Sequence, residues 1–292
     1  MTHLNRFNPI VIFLYFLATS LLAAFGTDAV ITLIFLSGSL CLFLVVNEKN
    51  SLSKHISCLI LFLISALINP VFNHRGVTPL VFINDNPVTL EALLYGVFMA
   101  ATVVAVIYWY FVFSSVMTAD RLIYIFGLLS SKAALLFSMA LRYIPLFVRQ
   151  HKKVRDSQKA LGLYNDGNIV DRFKGSLRVF SVMVTWGLEN GIITADSMNA
   201  RGFNEKKRTS FSFFSFGFYD FVLLLLTVVL SSVTVYGKIS GITGTQFYPE
   251  FIIGRINLKN VLIYSSFFVL TFLPSIIELG ERLRWKYLMS KI

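Results

Sequence analysis

Charge is scarce in this chain. Only 14% of its 292 residues are Asp, Glu, Lys or Arg, against about 25% in ordinary soluble domains. With 56% apolar residues and a mean hydropathy of +0.71, a soluble globular protein and a disordered chain are both excluded. Cysteine is nearly missing, and Cys41 and Cys58 both lie in or beside apolar runs, which indicates neither a disulfide framework nor a zinc site. The histidines His3, His55, His74 and His151 are scattered without metal-ligand spacing. No Gly-x-x-x-x-Gly-Lys-Ser/Thr run occurs, and Gly237-Lys238 lacks the upstream glycine, so the chain does not itself cradle nucleotide phosphates. Acids are missing from the middle of every long apolar run. Asp28, Glu91, Asp220 and Glu278 fall at run edges, which argues against a proton- or sodium-driven carrier. No catalytic residue, metal or cofactor is expected.

What is present is apolar length. Runs near 20 residues, rich in the 29 Phe, are continuous rather than alternating, which points to helices and away from a barrel. The expected fold is an all-α polytopic membrane protein with about six transmembrane helices, at 8–25, 28–46, 56–72, 90–118, 218–237 and 258–277. Gly26-Thr27 is a tight outer turn without basic residues, whereas Lys49 and Lys54 mark 47–55 as an inner loop. The 73–89 loop, with Asn69-Pro70 before it and Gly76, Pro79 and Asn86-Pro87 within it, is expected to be an ordered outer loop. His74-Arg75 in it is read as structural. Tyr108-Trp109-Tyr110 and Trp285 are read as interfacial aromatics. The N-terminus shows no cleavable signal pattern, because Arg6 leads directly into a full-length apolar run.

Positive charge is concentrated. Residues 149–208 hold twelve Lys or Arg and six acids, which places this block in the cytoplasm. The apolar segment 133–148 before it is short and carries Arg142 and Pro145. Burying Arg142 at mid-span costs about 2.5–3.5 kcal/mol, so 133–148 is expected to lie at the inner face. Both termini are then cytoplasmic in a multi-pass protein of the plasma membrane. The chain divides into 1–118, 119–212 and 213–292.

Two long helices are expected in the middle block. Ser130-Ser131 caps the first, Phe137, Leu141, Ile144 and Val148 repeat at helical spacing, and Gly162 ends it. The second begins near Asn168, carries the stripe Phe173, Leu177, Phe180, Val184 and Leu188, and stops at Gly202. Gly187 and Gly191, one turn apart, either permit close helix approach or are weak points. Both helices end alike, in Ala160-Leu161-Gly162 and Ala200-Arg201-Gly202. Alanine keeps the tip slim, glycine terminates the helix, and the residue between is presented where free carbonyls carry partial negative charge. Such a triplet is equally an ordinary C-cap. Glu189 and Asp196 are read as solvent or partner contacts, and Lys206-Lys207-Arg208 as an anchor at anionic lipid rather than a nucleic-acid site.

The string Thr194-Ala-Asp-Ser-Met-Asn-Ala-Arg-Gly-Phe203 resembles the signature of the transmembrane coupling (T) component of energy-coupling factor transporters. Asn69–Thr78, Asn86–Gly96 and Ser157–Gly162 resemble the same family, and the likeness spans most of the chain. The resemblance implies a cytoplasmic coupling domain whose two long helices dock through Ala-Arg-Gly-type tips onto two ABC ATPase subunits. It also implies a small membrane partner, the S component, that binds a vitamin or a transition metal ion. Carried over, Ala200, Arg201 and Gly202 form one ATPase-binding tip, and Ala160, Leu161 and Gly162 the other, with Leu161 where the family often has Arg. Phe137, Leu141, Ile144, Phe180 and Val184 become the candidate S-component surface. Besides the lipid bilayer, these are the expected partners. The rival readings are a conventional permease that binds substrate itself and a membrane-embedded lipid-modifying enzyme, for which no His, acid or metal cluster is available.

Overall fold

The computed structural model describes residues 3–26, 28–47, 52–73, 76–83, 86–163, 169–203, 214–241, 243–253 and 257–290. Expectations that rested on Lys49, His74-Arg75, Asn168 and Lys206-Lys207-Arg208 lie outside these residues. Among them the chain forms nine α-helices. These are α1 (Pro9–Ala24), α2 (Ala29–Val46), α3 (Leu52–Phe72), α4 (Leu90–Val116), α5 (Ala119–Leu129), α6 (Ser131–Ala160), α7 (Ile169–Ala200), α8 (Phe218–Ile239) and α9 (Leu258–Met289). The all-α polytopic class holds, with two small additions: antiparallel hairpins β1 (Pro79–Ile83) with β2 (Asn86–Thr89), and β3 (Thr245–Gln246) with β4 (Ile252–Ile253). The first hairpin orders the described part of the 73–89 loop from Pro79 to Ile83 and from Asn86 to Thr89.

Six helices are long and apolar enough to cross a membrane: α2, α3, α4, α6, α8 and α9. The set differs from the expected one at two places. Helix α1 has 16 residues, about 24 Å of rise against a hydrocarbon core of about 30 Å. Helix α6 qualifies through the apolar stretch of its first half, in which the expected 133–148 segment with Arg142 and Pro145 lies, before the same helix runs on into its basic second half.

The chain forms two compact units, 1–119 with 214–292, and 120–213. In the first, α4 packs against α1, α2 and α3, while α9 packs against α2 and α8. Its centre is aromatic. The Trp109 ring lies 5.0 Å from Phe16 and 5.4 Å from Phe35, and its Nε1–H donates to the Phe16 carbonyl at 3.3 Å. Tyr108 and Trp109 are therefore core residues and not interfacial ones; Tyr110 is exposed. Successive helical residues turn by about 100°, which sends the three neighbours to different faces.

All four edge acids are buried; Asp28, Glu91 and Asp220 each tie a helix start to another segment, and Glu278, inside α9, ties that helix to the N-terminal segment. Asp28 accepts from the Thr245 N–H at 3.0 Å, while the Thr245 hydroxyl accepts from the Ala29 N–H at 2.8 Å. Glu91 accepts from the Thr78 hydroxyl at 2.8 Å, and Asp220 from the Asn8 N–H at 2.7 Å. Glu278, at 0% exposure, accepts from the Leu4 N–H at 3.4 Å and the Arg282 Nε–H at 3.5 Å. Charge-assisted bonds of this kind offset the cost of burying a carboxylate.

Candidate functional site

The second unit is dominated by α6 and α7, of 30 and 32 residues. At 1.5 Å per residue each is a rod of about 45–48 Å. The Ser130 hydroxyl accepts from the Ala133 N–H at 3.4 Å and caps α6 at its start. The two helices run antiparallel. Tyr143 bonds the Thr194 hydroxyl at 2.6 Å, the Phe147 ring meets Trp186 edge-on at 5.2 Å, and Arg178 donates to the Leu163 carbonyl at 3.4 Å. The facing rows step by four, through Met139, Tyr143 and Phe147 on α6 and Gly175, Val179, Met183 and Gly187 on α7.

The two predicted weak points in α7 separate into one of each kind. A methyl on Gly187 would come within 2.9 Å of the Phe147 ring, so this glycine serves close approach. Gly191 meets nothing within 4 Å and only weakens the helix.

Both tips have one geometry. At the end of α6 the Gly162 N–H donates to the Lys159 carbonyl and the Leu163 N–H to the Gln158 carbonyl, each at 3.0 Å. At the end of α7 the Gly202 N–H donates to Asn199 and the Phe203 N–H to Met198, again at 3.0 Å. Gly162 and Gly202 have φ of +69° and +77°, the left-handed conformation that glycine adopts without a Cβ penalty. These are two Schellman caps. Each places its variable residue, Leu161 or Arg201, at the C-cap. Both are exposed, Leu161 at 69%. The ordinary-cap reading and the docking reading are thus compatible, because the cap is what presents the side chain.

The antiparallel course keeps the tips apart. Arg201 lies by Leu135, near the start of α6, whereas Leu163 lies by Arg178, near the start of α7. From Leu135 to Leu161 is 26 steps, about 39 Å along the helix.

The remaining candidates sit on outward faces. Phe137, Leu141, Ile144, Phe180 and Val184 are all exposed, and so is the rest of the predicted stripe, Phe173, Leu177 and Leu188. Phe137 also stacks on Phe126 of α5 at 5.2 Å. Phe180 and Val184 border an apolar groove of about 930 Å³ whose opposite wall is Phe147, Val148, His151 and Arg155. Of that wall only Val148 lies in the predicted stripe of α6. The signal for the others was the second four-step row of α6, Tyr143, Phe147, His151 and Arg155, which interleaves polar residues and so failed the apolar pattern.

Together these features define a multi-pass helical membrane protein carrying an antiparallel pair of long helices with two matched, exposed caps. The chain belongs to the CbiQ family of cobalt transport proteins, whose sequence model matches residues 2–212 and so takes in both caps. It is 26% identical over 170 residues to the energy-coupling factor transporter transmembrane protein EcfT 1 of Listeria monocytogenes, covering 52% of this chain and 62% of that protein. It is 27% identical over 108 residues to the EcfT protein of Lactobacillus helveticus, covering 36% and 39%. The chain thus spans less than two thirds of the length of these relatives.

Proposed function

We propose that this protein is the transmembrane coupling subunit of an energy-coupling factor importer, performing no chemistry of its own. The observation that carries the reading is the pair of identical caps, about 39 Å apart along the rods, on a chain of this family. Two tips that far apart suit two separate ABC ATPase subunits. Closure of the ATPases on ATP moves the tips, and each helix carries the displacement along its hydrogen-bonded axis. The exposed apolar faces at Phe137, Leu141, Ile144, Phe180 and Val184 receive a small S component that binds a vitamin or a transition metal ion. Sliding apolar faces have no directional bonds to break, so the S component tilts at little cost. In this reading the 119–212 block and both termini face the cytoplasm of a plasma-membrane protein, as the twelve basic residues of 149–208 require.

The tips differ in chemistry while sharing a backbone. Arg201 adds a fixed fork of donors suited to a partner carboxylate, and Leu161 adds an apolar plug. The two docks are unequal, and two non-identical ATPases fit them better than a symmetric pair. Co-isolation of the full chain from its native membrane tests the assignment. An ATPase pair and a small hydrophobic protein are expected with the unaltered chain, and both ATPases are lost when Leu161→Ala and Arg201→Ala are combined. Recovery of the chain without any ATPase refutes it.

A further inference from the structure

We propose that the cleft between the start of α8 and the end of α9 binds one anionic glycerophospholipid. Its phosphodiester lies against Arg6 and Arg284, and an acyl chain lies along Leu223, Leu226, Leu273 and Ile277. The cleft has a volume of about 780 Å³ and lies wholly within the first unit. It is polar at one end and apolar at the other. From Leu273 to Arg284 is 11 residues, about 17 Å of helix that passes from hydrocarbon-compatible to charged. Both walls belong to helices long and apolar enough to span a membrane.

The charge at the mouth fits one phosphodiester. Arg6 Nη1 lies 4.0 Å and Arg284 Nη1 3.9 Å from the two oxygens of Glu281, on either side of it. Two guanidiniums around one carboxylate leave one net positive charge, and both arginine side chains are largely exposed, at 68% and 72%. Long contacts of this kind leave forked N–H donors for a phosphate. Asp220, on the same wall, does not compete. It is buried, its oxygens accept from the Asn8 N–H at 2.7 Å and the Gly217 N–H at 2.8 Å, and it sits in the first turn of α8, whose positive dipole end partly offsets its charge. Tyr219 stands exposed at the mouth, a ring suited to the headgroup level. Within the Arg6–Glu281–Arg284 cluster, one phosphodiester balances the remaining positive charge. A zwitterionic headgroup, with its added ammonium, restores the positive charge, so an anionic lipid is favoured. The apolar half of the cleft distinguishes a lipid from a free anion.

Native mass spectrometry of the full chain in mild detergent, with phosphatidylglycerol and phosphatidylethanolamine added in equal amounts, tests the site. One retained phosphatidylglycerol is expected. Arg6→Gln with Arg284→Gln is expected to lower its retention by about fivefold per arginine. Leu226→Trp, which fills the groove and keeps the charges, is expected to expel the lipid as well. Equal retention of the two lipids by the unaltered chain overturns the proposal, and so does unchanged retention in either variant. Displacement of the lipid by inorganic phosphate marks a bare anion site and also overturns it. If the arginine variant does not fold, the headgroup comparison and Leu226→Trp still decide.

Discussion

Replacing Arg201 and Leu161 one at a time separates the two docks proposed above. Both side chains are exposed at helix caps, and the caps are closed by backbone bonds and glycine φ angles. Either change to Ala therefore costs the isolated chain no more than about 0.5 kcal/mol. The complex responds differently. Truncating an arginine paired with a desolvated carboxylate costs about 2–5 kcal/mol, roughly 30-fold to several thousand-fold in affinity. Removing a Leu that becomes buried costs about 1.5–3 kcal/mol, roughly 10- to 150-fold. Salt adds a second contrast, because it screens the approach of a charged tip to an acidic partner and leaves an apolar plug unaffected. Titrating purified ATPase subunits onto the immobilised chain at low and high salt gives both affinities. Arg201→Ala is expected to produce the larger loss and to remove the salt dependence, and Leu161→Ala a smaller loss that salt does not change. Equal losses with equal salt dependence would refute the unequal-dock reasoning. Losses below twofold in both would refute the tips as docking sites.

Three further outcomes follow from close contacts and from their absence. Gly191→Ala, with open space around the new methyl, is expected to stabilise α7 by about 0.5–1 kcal/mol, whereas Gly187→Ala pushes on the Phe147 ring and shows no such gain; thermal melts of the two variants make the comparison. Gly162→Ala meets no neighbour within 4 Å but inherits a φ of +69°. It is expected to cost about 1–2 kcal/mol at the cap, seen as faster amide exchange at Gly162 and Leu163 and weaker ATPase binding with Leu161 intact. Gly96→Ala places a methyl 2.7 Å from the Ala66 carbonyl and is expected to part α3 from α4 at a cost of about 1–3 kcal/mol, read as a lower melting temperature in detergent.

Most helix positions were legible in the sequence because length and hydropathy set them, whereas the 11-residue α5 (Ala119–Leu129) drew no expectation. The second long helix is a case in point: its run from Ile169 to Ala200 was marked by periodicity and by a glycine stop. The caps were legible too, since Ala-x-Gly is local chemistry and its bonds reach back at most five residues. Which face of a helix meets which neighbour was not. The stripe Phe173, Leu177, Phe180, Val184 and Leu188 has the ideal apolar spacing yet stays exposed, while Gly175, Val179 and Met183 are buried. The contact face of α7 is chosen by fit against α6, where Gly187 lets the Phe147 ring approach, and apolar spacing along one helix does not encode that fit.

The same limit governs the acids. Their place at run edges was visible in the chain, but their burial depends on partners such as Thr245 for Asp28 and Leu4 for Glu278, far away in sequence. The sequence by itself determined the helices, their capped ends and the residue offered at each tip, all of which rest on interactions within a few positions. Only the tertiary structure decided that the two rods run antiparallel and hold their tips apart, that Trp109 is core, and that Arg6 and Arg284 flank one carboxylate. Those facts depend on side chains from distant segments filling one another's space, and no local pattern encodes that.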